Sequence, residues 1–113
     1  MANLVSRLTA TIGNGASLSD ALTISGGKVS FIEMPATWTT AVITFKGSMD
    51  NSNFYSIYDD DGNEVIAFVE ASRRIHLSAT NLNQHKYLKL QSGTTANVVL
   101  QGGARTIYVE VWS

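Results

Sequence analysis

Apolar and polar side chains alternate along most of this chain, the rhythm of a strand that buries one face and wets the other. Residues 8–12 alternate and stop at Gly13-Asn14-Gly15, where Asn-Gly tolerates the positive φ of a tight turn. Residues 16–21 read as one helical turn or irregular chain. Residues 22–24 form a short strand closed by Ser25-Gly26-Gly27. Residues 29–34 follow as a strand ended by Pro35, and a loop over residues 35–39 carries Trp38. The clearest strand spans residues 41–48, with Ile43 and Phe45 on one face and Thr44 and Lys46 on the other.

After a turn at Asp50-Asn51-Ser52-Asn53, residues 54–58 and 65–69 are predicted to form a hairpin across Asp59-Asp60-Asp61-Gly62-Asn63. Residues 74–78 alternate again, with Ile75 and Leu77 inward, and residues 80–85 are polar loop or a single helical turn. Strands at residues 87–91, 97–101 and 106–112 complete the series. In the last, Ile107, Val109 and Val111 share one face, while Tyr108, Glu110 and Trp112 share the other. No segment keeps a 3.6-residue apolar period long enough for a helix. Eight or nine short strands separated by turn residues predict an all-β fold. Because the strands alternate, only one face of each sheet is buried, as in two antiparallel sheets packed face to face. The expected architecture is an antiparallel β-sandwich, jelly-roll-like, of about eight strands. It forms a single domain over residues 8–113, preceded by an N-terminal arm over residues 1–7.

Composition narrows the partners. With 113 residues the chain can bury a core without disulfides, and it has no cysteine for disulfides or thiolate metal sites. Eight Lys and Arg against nine Asp and Glu leave a net charge of −1, so no basic field draws nucleic acid and no basic cluster holds a membrane surface. No stretch approaches the ~20 apolar residues of a membrane helix, and residues 1–7 lack the pattern of a secretory signal peptide. Charged residues are only 15%, below the roughly 25% usual in soluble domains, their place taken by Ser, Thr and Asn. Either part of the surface is covered by a partner or by further copies, or this is ordinary β composition.

Candidate chemistry is sparse. Asp59-Asp60-Asp61-Gly62-Asn63-Glu64 is the densest acidic cluster, but the residue six beyond Gly62 is Phe68, where a calcium loop needs Glu. A hairpin turn with solvated charges is the expected reading. His76 and His85 have no metal-ligand spacing. Ser25-Gly26-Gly27-Lys28 lacks the earlier glycine and following hydroxyl of a phosphate-binding loop. No nucleophile elbow occurs. Glu33, Glu64, Glu70 and Glu110 can pair only if the fold brings them together. No cofactor, metal or catalytic residue is expected, and the chain reads as a structural or binding protein, not an enzyme. The aromatics Trp38, Trp112, Tyr55, Tyr58, Tyr87 and Tyr108 offer a stacking surface for a sugar or a partner side chain, while Phe31, Phe45 and at least one Trp fill the core. Trp38 fits a core lid and an interface anchor equally. Tyr108 and Trp112 either lie in a strand buried on both faces or meet a neighbour.

Five stretches, in this order, resemble small virion proteins of tailed bacteriophages. They are Met34-Pro35-Ala36-Thr37-Trp38-Thr39-Thr40-Ala41-Val42-Ile43-Thr44-Phe45, Tyr58-Asp59-Asp60-Asp61-Gly62-Asn63-Glu64-Val65, Ser72-Arg73-Arg74-Ile75-His76-Leu77, Lys86-Tyr87-Leu88-Lys89-Leu90-Gln91-Ser92-Gly93-Thr94 and Arg105-Thr106-Ile107-Tyr108-Val109. Such proteins are commonly β-sandwiches that work as multimers, and some are capsid cement or decoration proteins, often trimers. The resemblance implies a virion protein made in the host cytoplasm, with the major capsid protein or another virion protein as partner and a trimer as the favoured assembly. It carries over no catalytic or metal residue. Under it, the contact residues are Trp38, Tyr108, Trp112 and, from the arm, Asn3, Leu4 and Val5. A neck, tail or baseplate part and a carbohydrate-binding module are the alternatives.

Overall fold

The structure, a computed structural model, describes residues 5–77, 82 and 85–112. Eight strands occur among them: β1 (Val5–Ile12), β2 (Leu22–Thr23), β3 (Lys28–Glu33), β4 (Ile43–Ser48), β5 (Tyr55–Ser56), β6 (Arg74–His76), β7 (Tyr87–Ser92) and β8 (Arg105–Trp112). They form two antiparallel four-stranded sheets, ordered β1-β8-β3-β6 and β2-β7-β4-β5. β1 lies beside β8, β2 beside β7, β3 beside β6 and β4 beside β5. The chain is therefore one long hairpin of strands rolled up across two layers, the winding of a jelly roll. The expected all-β sandwich is what the residues build.

The core lies between the two sheets, where alternate residues of each strand meet. Ile12, Ile32, Ile43, Leu88, Leu90, Ile107 and Val109 are fully buried there with Phe45. Burying each such side chain stabilises the fold by roughly 1.5–3 kcal/mol.

Four expectations are corrected. Phe31 stands half-buried on the outer face of the first sheet instead of in the core. The register of β3 against β8 slips between Val29 and Phe31, so Ser30 is the extra residue of a bulge. That bulge turns Val29 and Ile32 inward together, leaving Phe31 outside. Residues 5–7, expected as arm, are strand: Val5 pairs with Trp112, Ser6 with Val111 and Arg7 with Glu110. Residues 65–69 do not return along residues 54–58. Only Tyr58 and Glu64 bridge, and Ala67 then pairs with Ile43 of β4. Residues 55–57 and 65–67 thus line one edge of β4 in succession, with the acidic turn as an excursion between them. Residues 97–101 are not a strand; Val98 bridges Gly93, and Gln101 reaches Ala16. Within the predicted segment at residues 80–85, only Leu82 and His85 are described, and Leu82 is fully buried.

Loops are fastened by buried polar groups. Gln101, 1% exposed, accepts from the Thr39 amide at 2.9 Å and from Arg105 Nε at 3.0 Å. Its amide nitrogen donates to Thr39 O at 3.0 Å and to Ser92 Oγ at 2.8 Å. This satisfies all four of its hydrogen-bonding positions and ties the loop after β3 to the loop before β8. On the outer face of the second sheet, Thr44 donates to Gly93 O at 2.7 Å and accepts from Gln91 Nε2 at 3.1 Å. Thr44 and Gln91 point outward yet are buried, because residues 93–95 fold over them. Gly93 makes that fold possible. Its φ is +87°, and a Cβ there would lie 2.4 Å from Asn97 O.

Candidate interaction surface

The outer face of the first sheet is set by strand register. One row of neighbours runs Arg7, Glu110, Phe31, His76, and the next runs Thr9, Tyr108, Glu33, Arg74. Side chains directly opposite share a face, so long residues reach diagonally between the rows. Arg7 crosses Tyr108, its Cζ 3.8 Å from the ring centroid, to meet Glu33 at 2.8 Å. Arg74 lies 4.2 Å from the Phe31 centroid and meets Glu33 at 2.7 Å and Glu110 at 2.5 Å. His76 completes the row, its ring centroid 4.9 Å from that of Phe31. The hydrogen bond from Arg74 holds the Glu110 carboxyl below the usual carboxylate range, and the same bond raises Arg74 further. Two cations and two anions interlock over two rings, a neutral cluster that braces the face. The fold thus brings Glu33 and Glu110 onto one guanidinium, while Glu64 is held by Thr95 and Glu70 by Arg73.

Three of the expected contact residues lie on this face. Tyr108 and Trp112 are each 38% exposed, and Val5 stands opposite Trp112 on the neighbouring strand. Trp38 is apart from them. It packs half-buried against the core, its Nε1–H donates to Ala41 O at 3.2 Å, and its ring borders a groove of about 370 Å³ with Val69, Glu70 and Arg73. Asn3 and Leu4 lie outside the described residues.

A second surface lies along the β5 edge of the other sheet. Met49, Tyr55 and Tyr58 are exposed and line a groove of about 490 Å³ with Asp50, Asn53 and His85. Gly47 forms its floor; a Cβ there would lie 2.5 Å from His85 Nδ1, so the imidazole sits where only glycine leaves room. Asp50 caps the turn beside it, accepting from the Asn53 and Ser52 amides and from the Asn53 and Ser48 side chains. The Asn53 and Ser52 amides chiefly, and then those side chains, hold its carboxyl far below the ordinary range. Further along the same edge Phe68 is 80% exposed, more than any other large apolar side chain described.

Sequence reasoning did not single out Phe68, Met49 or the Arg7–Glu33–Arg74–Glu110 lattice. Period-two alternation does mark Ile66 and Phe68 as facing away from Val65, Ala67 and Val69; the lattice needs the strand register, which no local pattern supplies. Asp59, Asp60 and Asp61 can bring one carboxylate oxygen each within 4.8 Å of the others. Asp59 Oδ1 already accepts from the Asp61 amide at 3.0 Å and the Asn63 amide at 2.9 Å, an Asx cap that shapes the turn. His76 is exposed, on the face its alternation assigns it.

No protein-family model matches the chain, and comparison with curated proteins and with solved structures gives no match.

Proposed function

We propose that this chain is a structural protein of a tailed-bacteriophage virion, a cement or decoration protein that works as a multimer and binds the assembled head. The observation that carries this reading is a braced two-layer scaffold presenting large apolar side chains to solvent. Phe68 is 80% exposed, Tyr55 71%, Met49 68% and Leu100 60%. Scattered singly such residues mean little, but Met49, Tyr55 and Tyr58 share one groove. A rigid body with apolar contacts suits a protein that adds stability by binding only the assembled lattice, through mass action. The five sequence stretches resembling virion proteins give the class of partner, the major capsid protein or another virion protein.

The test is to mix the purified chain with heads that lack it, then measure co-sedimentation and image the particles by electron microscopy. Saturable binding at fixed lattice positions, with greater resistance of the heads to heat, is expected. Absence of binding to heads overturns the cement assignment, and density at the neck, tail or baseplate moves the protein there. One observation favours a second reading, a carbohydrate-binding module: Tyr55, Tyr58 and Asn53 line a groove of ligand size. A saturable glycan-array signal lost in Tyr55→Ala selects that reading.

A further inference from the structure

The free edge of the second sheet ends in a run whose outward backbone groups no described residue pairs with. Val65-Ile66-Ala67-Phe68-Val69 carries no charge and no proline, the devices by which exposed edges are usually blunted. Its side chains alternate, with Val65, Ala67 and Val69 buried and Ile66 and Phe68 exposed. Ala67 exchanges two backbone hydrogen bonds with Ile43, at 2.8 and 3.0 Å. In extended chain, successive residues turn their N–H and C=O groups to opposite sides. The groups of Ile66 and Phe68 therefore face away from β4, and they meet no partner among the described residues. The flanking charges are engaged elsewhere, Glu64 on Thr95 and Glu70 on Arg73.

We propose that this edge is completed by the same edge of a second copy, paired antiparallel across a two-fold axis at Phe68. Unpaired strand edges are complementary to themselves in antiparallel register, and a two-fold makes the contact isologous. Centring the axis on Phe68 sets Phe68 opposite Phe68 and Ile66 opposite Glu70, which joins the two exposed rings as a cross-strand aromatic pair. Centring it on Ala67 would set Glu64 against Glu70, a like-charge opposition, so the Phe68 register is favoured. A net charge of −1 per copy opposes the association only weakly. The inference stands on the edge alone and does not require the virion assignment.

Sedimentation velocity across a concentration series tests it, on the wild-type chain and three variants. The wild type is expected to sediment as a monomer–dimer equilibrium. Phe68→Lys places a charge at a position whose side chain is 80% exposed, and is expected to weaken dimerisation at least about tenfold, as for a central interface anchor. Ile66→Pro removes an N–H that makes no backbone bond to any described residue, and should weaken it comparably. Tyr55→Lys, on the same sheet edge but outside the ladder, should leave it unchanged. Circular dichroism checks that each variant retains its strands. A wild type that stays monomeric or forms trimers, or a Phe68→Lys dimer of unchanged affinity, overturns the proposal.

Discussion

Replacing Gln101 by Leu keeps nearly the same bulk in a site 1% exposed but removes every hydrogen bond its amide makes. The partners lose unequally. The Thr39 backbone, in its loop, and Arg105 Nε, at the start of β8, are half-buried, where water can reach them once the amide is gone. Ser92 Oγ cannot be rescued, because Ser92 is 0% exposed. A typical internal hydrogen bond contributes about 1 kcal/mol net, and an orphaned buried polar group costs about 1–3 kcal/mol. The Ser92 hydroxyl and the partly compensated remainder together give a loss of about 2–4 kcal/mol. At roughly 4 °C per kcal/mol for a domain of this size, the melting temperature should fall by about 8–16 °C. Urea unfolding followed by circular dichroism measures the free energy directly. Adding Ser92→Ala to the variant removes the orphan, so the double variant should be less destabilised than the sum of the singles, by about 1 kcal/mol or more. A loss under about 1 kcal/mol in Gln101→Leu, or strict additivity in the cycle, would refute the assignment of Gln101 as the pin between the two loops.

Other substitutions probe other parts of the scaffold. Gly93→Ala forces a Cβ to within 2.4 Å of Asn97 O at φ +87°, so a loss of about 2 kcal/mol or more is expected in urea unfolding; a neutral result would mean that residues 93–97 can shift freely. Glu33→Gln removes the shared partner of Arg7 and Arg74, but these side chains are 44–56% exposed, so the loss should be about 1 kcal/mol or less and should shrink in 1 M salt. A loss independent of salt would contradict a surface ion lattice. Asp50 and Glu110 have folded pKa values held below their unfolded ones. The unfolded chain therefore takes up protons first as pH falls, and the stability these groups contribute, complete above about pH 5, declines as pH drops through about 4 and below. Urea midpoints between pH 6 and pH 3 should slope less steeply in Asp50→Asn than in the wild type; parallel slopes would remove Asp50 from the account.

Wherever a strand simply alternated, its faces could be read from the sequence. Ile107, Val109 and Val111 are buried and Tyr108 and Trp112 are exposed, as their spacing requires. Reading failed where the period slipped or where a distant segment intervened. Ser30 adds one residue to β3, which reverses the faces beyond it and sends Phe31 outward. Thr44 and Gln91 look like solvent-facing strand residues, yet the loop at residues 93–95, about fifty residues from Thr44, closes over them. Asp59-Asp60-Asp61-Gly62-Asn63 announces a turn correctly but carries no signal that its second arm will leave for β4. The candidate surfaces were legible in the same measure. Tyr108 and Trp112 follow from local alternation, whereas the crossing of Arg7 over Tyr108 depends on the alignment of β1 with β8, a relation between opposite ends of the described chain.

The position of β8 bears on how the molecule reaches this state. Residues 105–112 fill the middle of their sheet, between β1 at residues 5–12 and β3 at residues 28–33. Until that segment arrives, β1 lacks the one strand that flanks it among the described residues, and β3 and β6 stand apart from it as a separate fragment. Closure must recruit partners about a hundred positions apart, which makes assembly slow and all-or-none. Throughout the delay a sticky Ile66–Phe68 rim is open to any passing strand, so crowding during synthesis would tax yield well before it taxed the finished protein.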